Sequence, residues 1–250
     1  MSDSVGAPGT LTWLGHATVL MATRAGTRII FDPWLEGNPK RPEGLADLAP
    51  LDGIAVTHGH FDHIGSVIPL AAETGAPVIC TPELAAYFSS AGVSEVIEMN
   101  KGGTIEVGDV ELTMVSADHS CGIAVTEGTP NAYGGDPVGF IAAPRSGEGR
   151  VYVSGDTNVF GDMALIRDLY APETGLFPID GHYNMGPREA AHAVGLLGLE
   201  RAVPIHYGTF PILTGTPEEL IRHLAQRGTT ADVEVIEPGQ SVSLTARGHQ

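Results

Sequence analysis

Three histidines and an aspartate fall within six positions in the stretch Thr57-His58-Gly59-His60-Phe61-Asp62-His63. Neutral imidazole together with carboxylate is the donor set of zinc and other first-row divalent cations. Such ions acidify a bound water and polarise a carbonyl or phosphoryl oxygen, so the chemistry indicated is hydrolysis. His58 and His60 alternate with Gly59, so in an extended loop they project to one side and share one ion. Asp62 and His63 are adjacent at the start of a helical stretch, and a turn there carries them towards a second ion. Gly59 has no side chain and is expected to leave room for metal and water. A solvated polar turn is the plainer reading of these residues. Four ligating side chains at this density, directly after an apolar strand, weigh against it.

The flanking segments supply that position. Leu51 to Val56 reads as a strand with an apolar core at Ile54 to Val56. Ile64 to Thr74 carries Ile64, Val67, Ile68 and Ala71 at helical spacing. The cluster therefore sits on a strand-to-helix turn at the edge of a sheet. Upstream, Thr10 to Thr23 and Thr27 to Asp32 read as a hairpin about Arg24-Ala25-Gly26. Downstream, chemically active residues again follow strands. His119 comes after Val110 to Ala117, Asp156 after Arg150 to Ser154, and His206 after Ala202 to Ile205. Taken alone, His119 is a loop histidine and Asp156 caps the helix from Phe160 to Tyr170. The glycine-rich run Cys121 to Pro137 has the length of a flap or cleft wall.

The pattern His-x-His-x-Asp-His resembles the signature of the metallo-β-lactamase superfamily. Gly15-His16, Asp32-Pro33, Tyr133-Gly134-Gly135, Ser154-Gly155-Asp156-Thr157, Met185-Gly186-Pro187 and Pro204-Ile205-His206-Tyr207 extend that resemblance along nearly the whole chain. They are similar to a prokaryotic branch of metal-dependent hydrolases related to ascorbate-6-phosphate lactonase and N-acyl-phosphatidylethanolamine phospholipase D. The resemblance implies an α/β fold, a four-layer αββα sandwich of two mixed sheets with helices on both outer faces. It implies two divalent metal ions, zinc first, with manganese, iron, cobalt or nickel as alternatives. His58, His60 and His119 would hold one ion, Asp62, His63 and His206 the other, and Asp156 would bridge them. Asp32 would fix the tautomer of a ligand histidine. Asp62 would also orient the attacking water, and His182 or His16 would stabilise the oxyanion or protonate the leaving group. Relatives often carry Asp-Asn where this chain has Asp180-Gly181-His182, which leaves the substrate-facing group there open.

Composition narrows the partners. The chain has 250 residues and 42% hydrophobic content, with 30 acidic against 13 Lys and Arg residues, a formal charge of −17. This size and content fit a sizeable core, and the expected organisation is a frayed tail over 1–9 followed by a single hydrolase domain over 10–250. So acidic a surface repels nucleic acid and anionic membranes. No apolar run approaches membrane-spanning length. Two cysteines make no disulfide framework, and the N-terminus lacks a signal-peptide pattern, so the cytoplasm is the expected location. Homo-oligomers stay open. The expected substrate is a small molecule, an ester, lactone, amide or phosphodiester, with a polar or anionic part met by His16, His182 and the 121–137 loop. No Gly-x-Ser-x-Gly elbow is present. The competing readings are a non-hydrolytic di-iron redox protein of the same fold and a metal-binding scaffold.

Overall fold

The computed structural model describes residues 5–45, 48–124 and 131–245. The start of the expected tail, residues 125–130 of the expected flap, and His249 lie outside them. The first half of the chain runs β1 (Thr10–Trp13), β2 (Val19–Ala22), β3 (Arg28–Phe31), β4 (Gly53–Ala55), α1 (Phe61–Ile64), α2 (Val67–Thr74), β5 (Val78–Cys80), α3 (Pro82–Ser90) and β6 (Val96–Glu98). The second half begins β7 (Thr104–Val107), β8 (Val110–Ser116), β9 (Gly122–Ile123), β10 (Ala132–Tyr133), β11 (Val138–Pro144) and β12 (Val151–Val153). It ends with α4 (Met163–Tyr170), β13 (Thr174–Pro178), α5 (Pro187–Leu197), β14 (Arg201–Ile205), α6 (Pro217–Arg227), β15 (Asp232–Val233) and β16 (Ser241–Ser243).

Two seven-stranded mixed sheets result, ordered β16-β1-β2-β3-β4-β5-β6 and β15-β14-β13-β12-β11-β8-β7. In the first, the pairs from β16 to β3 are antiparallel and those from β3 to β6 parallel. The second repeats this plan, antiparallel from β7 to β12 and parallel from β12 to β15. The side-chain period of two divides each strand between two cores. Val19, Met21, Ile29 and Phe31 enter the layer between the sheets, where they meet Met114, Phe140 and Val153. Leu20, Ile30, Val78 and Cys80 face the other way, into a core with α2 and α3. Tyr152, Phe177 and Ala202 pack with α4, α5 and α6 on the opposite outer face. The layers are therefore helix, sheet, sheet, helix, the expected αββα sandwich. The strands covered on both faces read as continuous apolar runs for this reason. Cys80 is buried, and burial pushes its thiol up to about 12. No described helix is long and apolar enough to cross a membrane.

The helix expected from Ile64 to Thr74 is instead broken, with Gly65 and Ser66 between α1 and α2. The hydrophobic period continues through the break, so periodicity conceals it. The break docks the Asp32-Pro33-Trp34-Leu35 loop. Ser66 N–H donates to Pro33 O at 2.9 Å, and Leu35 N–H donates to Ser66 Oγ at 2.8 Å. A Cβ on Gly65 would stand 2.9 Å from Trp34 Cδ1, so only glycine admits the indole there. The consequence is positional. The C-terminal ends of β3, β4, β12, β13 and β14 open on one edge of the sandwich. β8 runs in the same sense as β12, since both are antiparallel to β11.

Candidate metal centre

His58, His60, His119, Asp156 and His206 follow strand ends on that edge, and Asp62 and His63 stand on α1 just beyond. Four non-glycine residues among those described have positive φ: His16 (55°), Asp32 (47°), Ala171 (43°) and His206 (58°). Three of the four belong to this edge. The left-handed conformation costs energy in an L-residue and persists where the surroundings enforce it. Here His206 N–H donates to His16 O at 3.0 Å, and Trp13 Nε1 donates to the same oxygen at 2.8 Å. Both imidazoles are thereby turned off their strands to face each other, with ring centroids 3.7 Å apart. Gly155, with φ of +61°, plays the matching part before Asp156, because a Cβ there would meet Thr57 Oγ1 at 2.6 Å.

Eight side chains converge. His58, His60, His119 and Asp156 have donor atoms all within 4.8 Å of one another, and His16, Asp62, His63 and His206 form a second such group. In the first, His58 Nε2 lies 2.9 Å from His60 Nδ1. Asp156 Oδ2 faces that group, 3.6 Å from His119 Nε2 and 3.9 Å from His58 Nε2. Its other oxygen, Oδ1, faces the second group, 3.3 Å from His63 Nε2 and 3.4 Å from His206 Nε2. Asp62 Oδ2 lies 3.8 Å from His206 Nε2. The Nε2 atoms of His63 and His206 are buried with no hydrogen-bond partner of suitable geometry. Buried polar atoms are normally paired, and a cation in each group would pair these.

A second set of contacts orients the imidazoles. Asp32 Oδ2 accepts from His63 Nδ1 at 2.8 Å and from Thr57 Oγ1 at 2.7 Å, while Asp32 Oδ1 accepts Thr57 N–H at 2.8 Å. The Thr57 hydroxyl has one hydrogen, and Asp32 takes it. At 3.0 Å from His58 Nδ1 it must therefore accept, which leaves His58 Nε2 as a bare lone pair. One carboxylate thus orients a histidine in each group. Asp180 Oδ2 stands 3.1 Å from His206 Nδ1, and its Oδ1 accepts the N–H groups of His182 and Tyr183 at 2.8 Å each. His16 Nε2 lies 2.9 Å from Asp62 Oδ2, and His16 Nδ1 lies 2.9 Å from Thr209 Oγ1. Sequence reasoning passed over Thr57, Thr209 and Asp180's contact with His206. Asp180 carried a usable signal, an aspartate just past an apolar strand, as at Asp32 and Asp156.

Burial lowers His58, His60 and His119 below the ordinary imidazole range, with Asp156 only partly opposing it. Burial also acts on His63 and His206, but the carboxylate of Asp156, joined by Asp32 or Asp180, outweighs it and holds both above that range. Burial would raise Asp62 and Asp156. The hydrogen bond from His16 and the charge of His63 keep Asp62 low, and His206 and His63 keep Asp156 low. Burial and the neighbouring His206 push His16 down to about 4, against the pull of Asp62. A neutral His16 beside an ionised Asp62 donates from Nε2 and accepts from Thr209 at Nδ1.

The expectation for Gly59 needs correction. The space beside Gly59 does not hold metal and water, since a Cβ there would meet Ile123 Cγ1 at 2.8 Å and Leu84 Cδ2 at 3.3 Å. Asp118 is exposed and its carboxylate faces Asn158 Nδ2 at 3.4 Å. Cys121 ties the histidine loop to the β9–β10 ribbon: its Sγ accepts Gly59 N–H at 3.3 Å and donates to Gly134 O at 3.1 Å. His182 is exposed at the rim, its ring edge-on to Tyr183 with centroids 4.6 Å apart. The cleft above the two groups holds about 780 Å³, and its mouth carries Phe61, Tyr183, Phe210 and Ile212 rather than the expected polar loop alone.

Comparison with known proteins agrees with this arrangement. The Beta-lactamase superfamily domain matches residues 27–207. The UPF0173 metal-dependent hydrolase of Rubrobacter xylanophilus is 47% identical over 232 residues, covering 93% of this chain and 95% of its own. Its counterpart in Koribacter versatilis is 44% identical over 233 residues, covering 93% of this chain and 97% of its own. Among solved structures, Igni18, described as a metallo hydrolase from the archaeon Ignicoccus hospitalis, is 33% identical with a TM-score of 0.82, covering 95% of this chain and 99% of its own. With its fold, its histidine motif and these relatives, the chain belongs to the beta-lactamase superfamily, among the UPF0173 metal-dependent hydrolases.

Proposed function

We propose that the chain is a dinuclear metal-dependent hydrolase acting on a small ester, lactone, amide or phosphodiester. The observation that carries this reading is Asp156, which turns one oxygen to each of two donor groups. His58, His60 and His119 would hold one divalent cation, Asp62, His63 and His206 the other, and Asp156 both. The cations, zinc foremost, would supply an acidified water and a polarised scissile group. Asp62, kept ionised, accepts a hydrogen bond from the attacking water and aligns it. His16 has both ring nitrogens engaged, so its part is to hold Asp62 in place. His182, exposed on the rim of the cleft, is the imidazole free to meet the leaving group. Addition of water across an ester C–O bond then gives a carboxylic acid and an alcohol. A core continuous from Leu11 to Leu244 supports one domain over 10–250.

Stripping the protein with chelator is expected to abolish hydrolysis, and zinc to restore it in proportion to occupancy. The same titration has a pH signature. His58, His60 and His119 are already unprotonated near neutrality, so filling their group releases few protons. Asp156, joined by Asp32 at His63 and by Asp180 at His206, holds these two imidazoles above the ordinary range, so filling theirs displaces more protons. Affinity of the second group should therefore rise with pH, about tenfold per unit for each proton released, while the first changes little. Full activity in the stripped protein would contradict the metal-dependent reading.

A further inference from the structure

Phe61, Trp34 and Phe210 form one aromatic wall beside the donor groups. Phe61 meets Trp34 edge-to-face with centroids 5.6 Å apart, and Trp34 stacks on Phe210 at 6.0 Å. Trp34 is buried and fixes the other two. Yet Phe61 is 58% exposed, and Ile212 and Tyr183, which also line the cleft, are 46% and 62% exposed. Apolar groups left in water around one opening are a cost the fold does not require, since none of these three completes a core. Such patches mark places where a ligand covers them. Charge points the same way. Among the described residues no lysine or arginine lines the cleft, and residues 125–130, Val-Thr-Glu-Gly-Thr-Pro, contain none. A phosphorylated or polyanionic substrate would find no guanidinium or ammonium outside the donor groups, on a chain of formal charge −17.

We infer that the substrate is an uncharged ester, lactone or amide bearing a bulky aryl or branched apolar group. That group lies against Phe61, Phe210 and Ile212 and is closed over by Tyr183. The inference rests on the hydrolase reading above and narrows the small substrate with a polar or anionic part, expected from the sequence, to an uncharged one. Water adds across the acyl C–O or C–N bond, and the polar product leaves past His182.

The test uses ligands that share one head and differ in the tail. Calorimetry of the zinc-loaded chain compares acetate, succinate and phenylbutyrate. Saturation-transfer NMR follows neutral phenylbutanol on both stripped and zinc-loaded protein. Phenylbutyrate is expected to bind about tenfold or more tighter than acetate, and succinate no tighter than acetate. Phenylbutanol should bind both forms, and Ile212→Ser and Phe61→Ala should each weaken it severalfold with folding intact by circular dichroism. Ile212→Ser alters an exposed residue, so it reads the wall even where Phe61→Ala disturbs α1. Tightest binding of succinate, or phenylbutanol binding that is absent or insensitive to Ile212→Ser, would overturn the inference. Failure of the chain to load zinc at all, with phenylbutanol still bound, would instead overturn the metal-dependent reading and leave the wall standing.

Discussion

Asp156→Asn is expected to abolish hydrolysis while leaving the fold intact. The carboxamide has nearly the same shape as the carboxylate and keeps one acceptor oxygen. It lacks the charge, and its nitrogen would point a donor at one of two groups already rich in imidazole. Asp156 is buried, held ionised by His206 and His63, and stands between donor atoms that would otherwise repel once protonated or carry cations with too little compensation. Turnover should fall by about three orders of magnitude or more, equivalent to about 4 kcal/mol in the barrier. Bound zinc, measured by mass spectrometry after exhaustive dialysis, should fall from two per chain to at most one. Asp156 is not seen to cap α4, whose N-cap is Asp162, so the loss should not be traced to a frayed helix. An Asn variant that keeps two zinc ions and turns over normally would exclude the bridging role.

Asp32→Asn should have the second largest effect, and a distinctive one. Asp32 accepts directly from His63 and, through the Thr57 hydroxyl, sets the tautomer of His58. His63 and His58 belong to different donor groups, so one substitution should weaken both cations together. Loss of a partner that orients a ligand histidine typically costs about 10–100-fold in metal affinity. Thr57→Val separates the two paths. It removes the link to His58 and leaves His63 on Asp32, so it should weaken mainly the cation of the first group. Competition titrations with a chromophoric chelator resolve the two affinities. Equal affinities for the Asp32→Asn variant and the unaltered protein would show that the shared carboxylate does not orient the donors.

The donor residues were legible because their chemical types are informative and their placement repeats. Each follows an apolar strand, and parallel strands bring such ends to one edge whatever the separation in sequence. The layers were implied by resemblance along the chain. What stayed hidden depends on contacts between ordinary residues far apart. Thr57 looks like any strand-end threonine until Asp32, on β3's exit, reaches it. His16 reads as a substrate-facing histidine, and only the folded chain places Thr209 on its other nitrogen. Phe61 sits at the start of a helix, where an aromatic residue reads as core. Its exposure follows from the break at Gly65 and Ser66, which lets Trp34 occupy the space behind it. Gly59 misled for a related reason, since a missing side chain does not say which neighbour will fill the gap.

Crystals soaked or grown with zinc, measured at the zinc absorption edge, test the two-cation centre most directly. Two anomalous peaks are expected. One should lie about 2.0–2.3 Å from His58 Nε2, His60 Nδ1 and His119 Nε2, and the other at similar distance from Asp62, His63 Nε2 and His206 Nε2. One oxygen of Asp156 should contact each peak. A single peak at zinc saturation, or two peaks with Asp156 touching neither, would contradict the bridged centre.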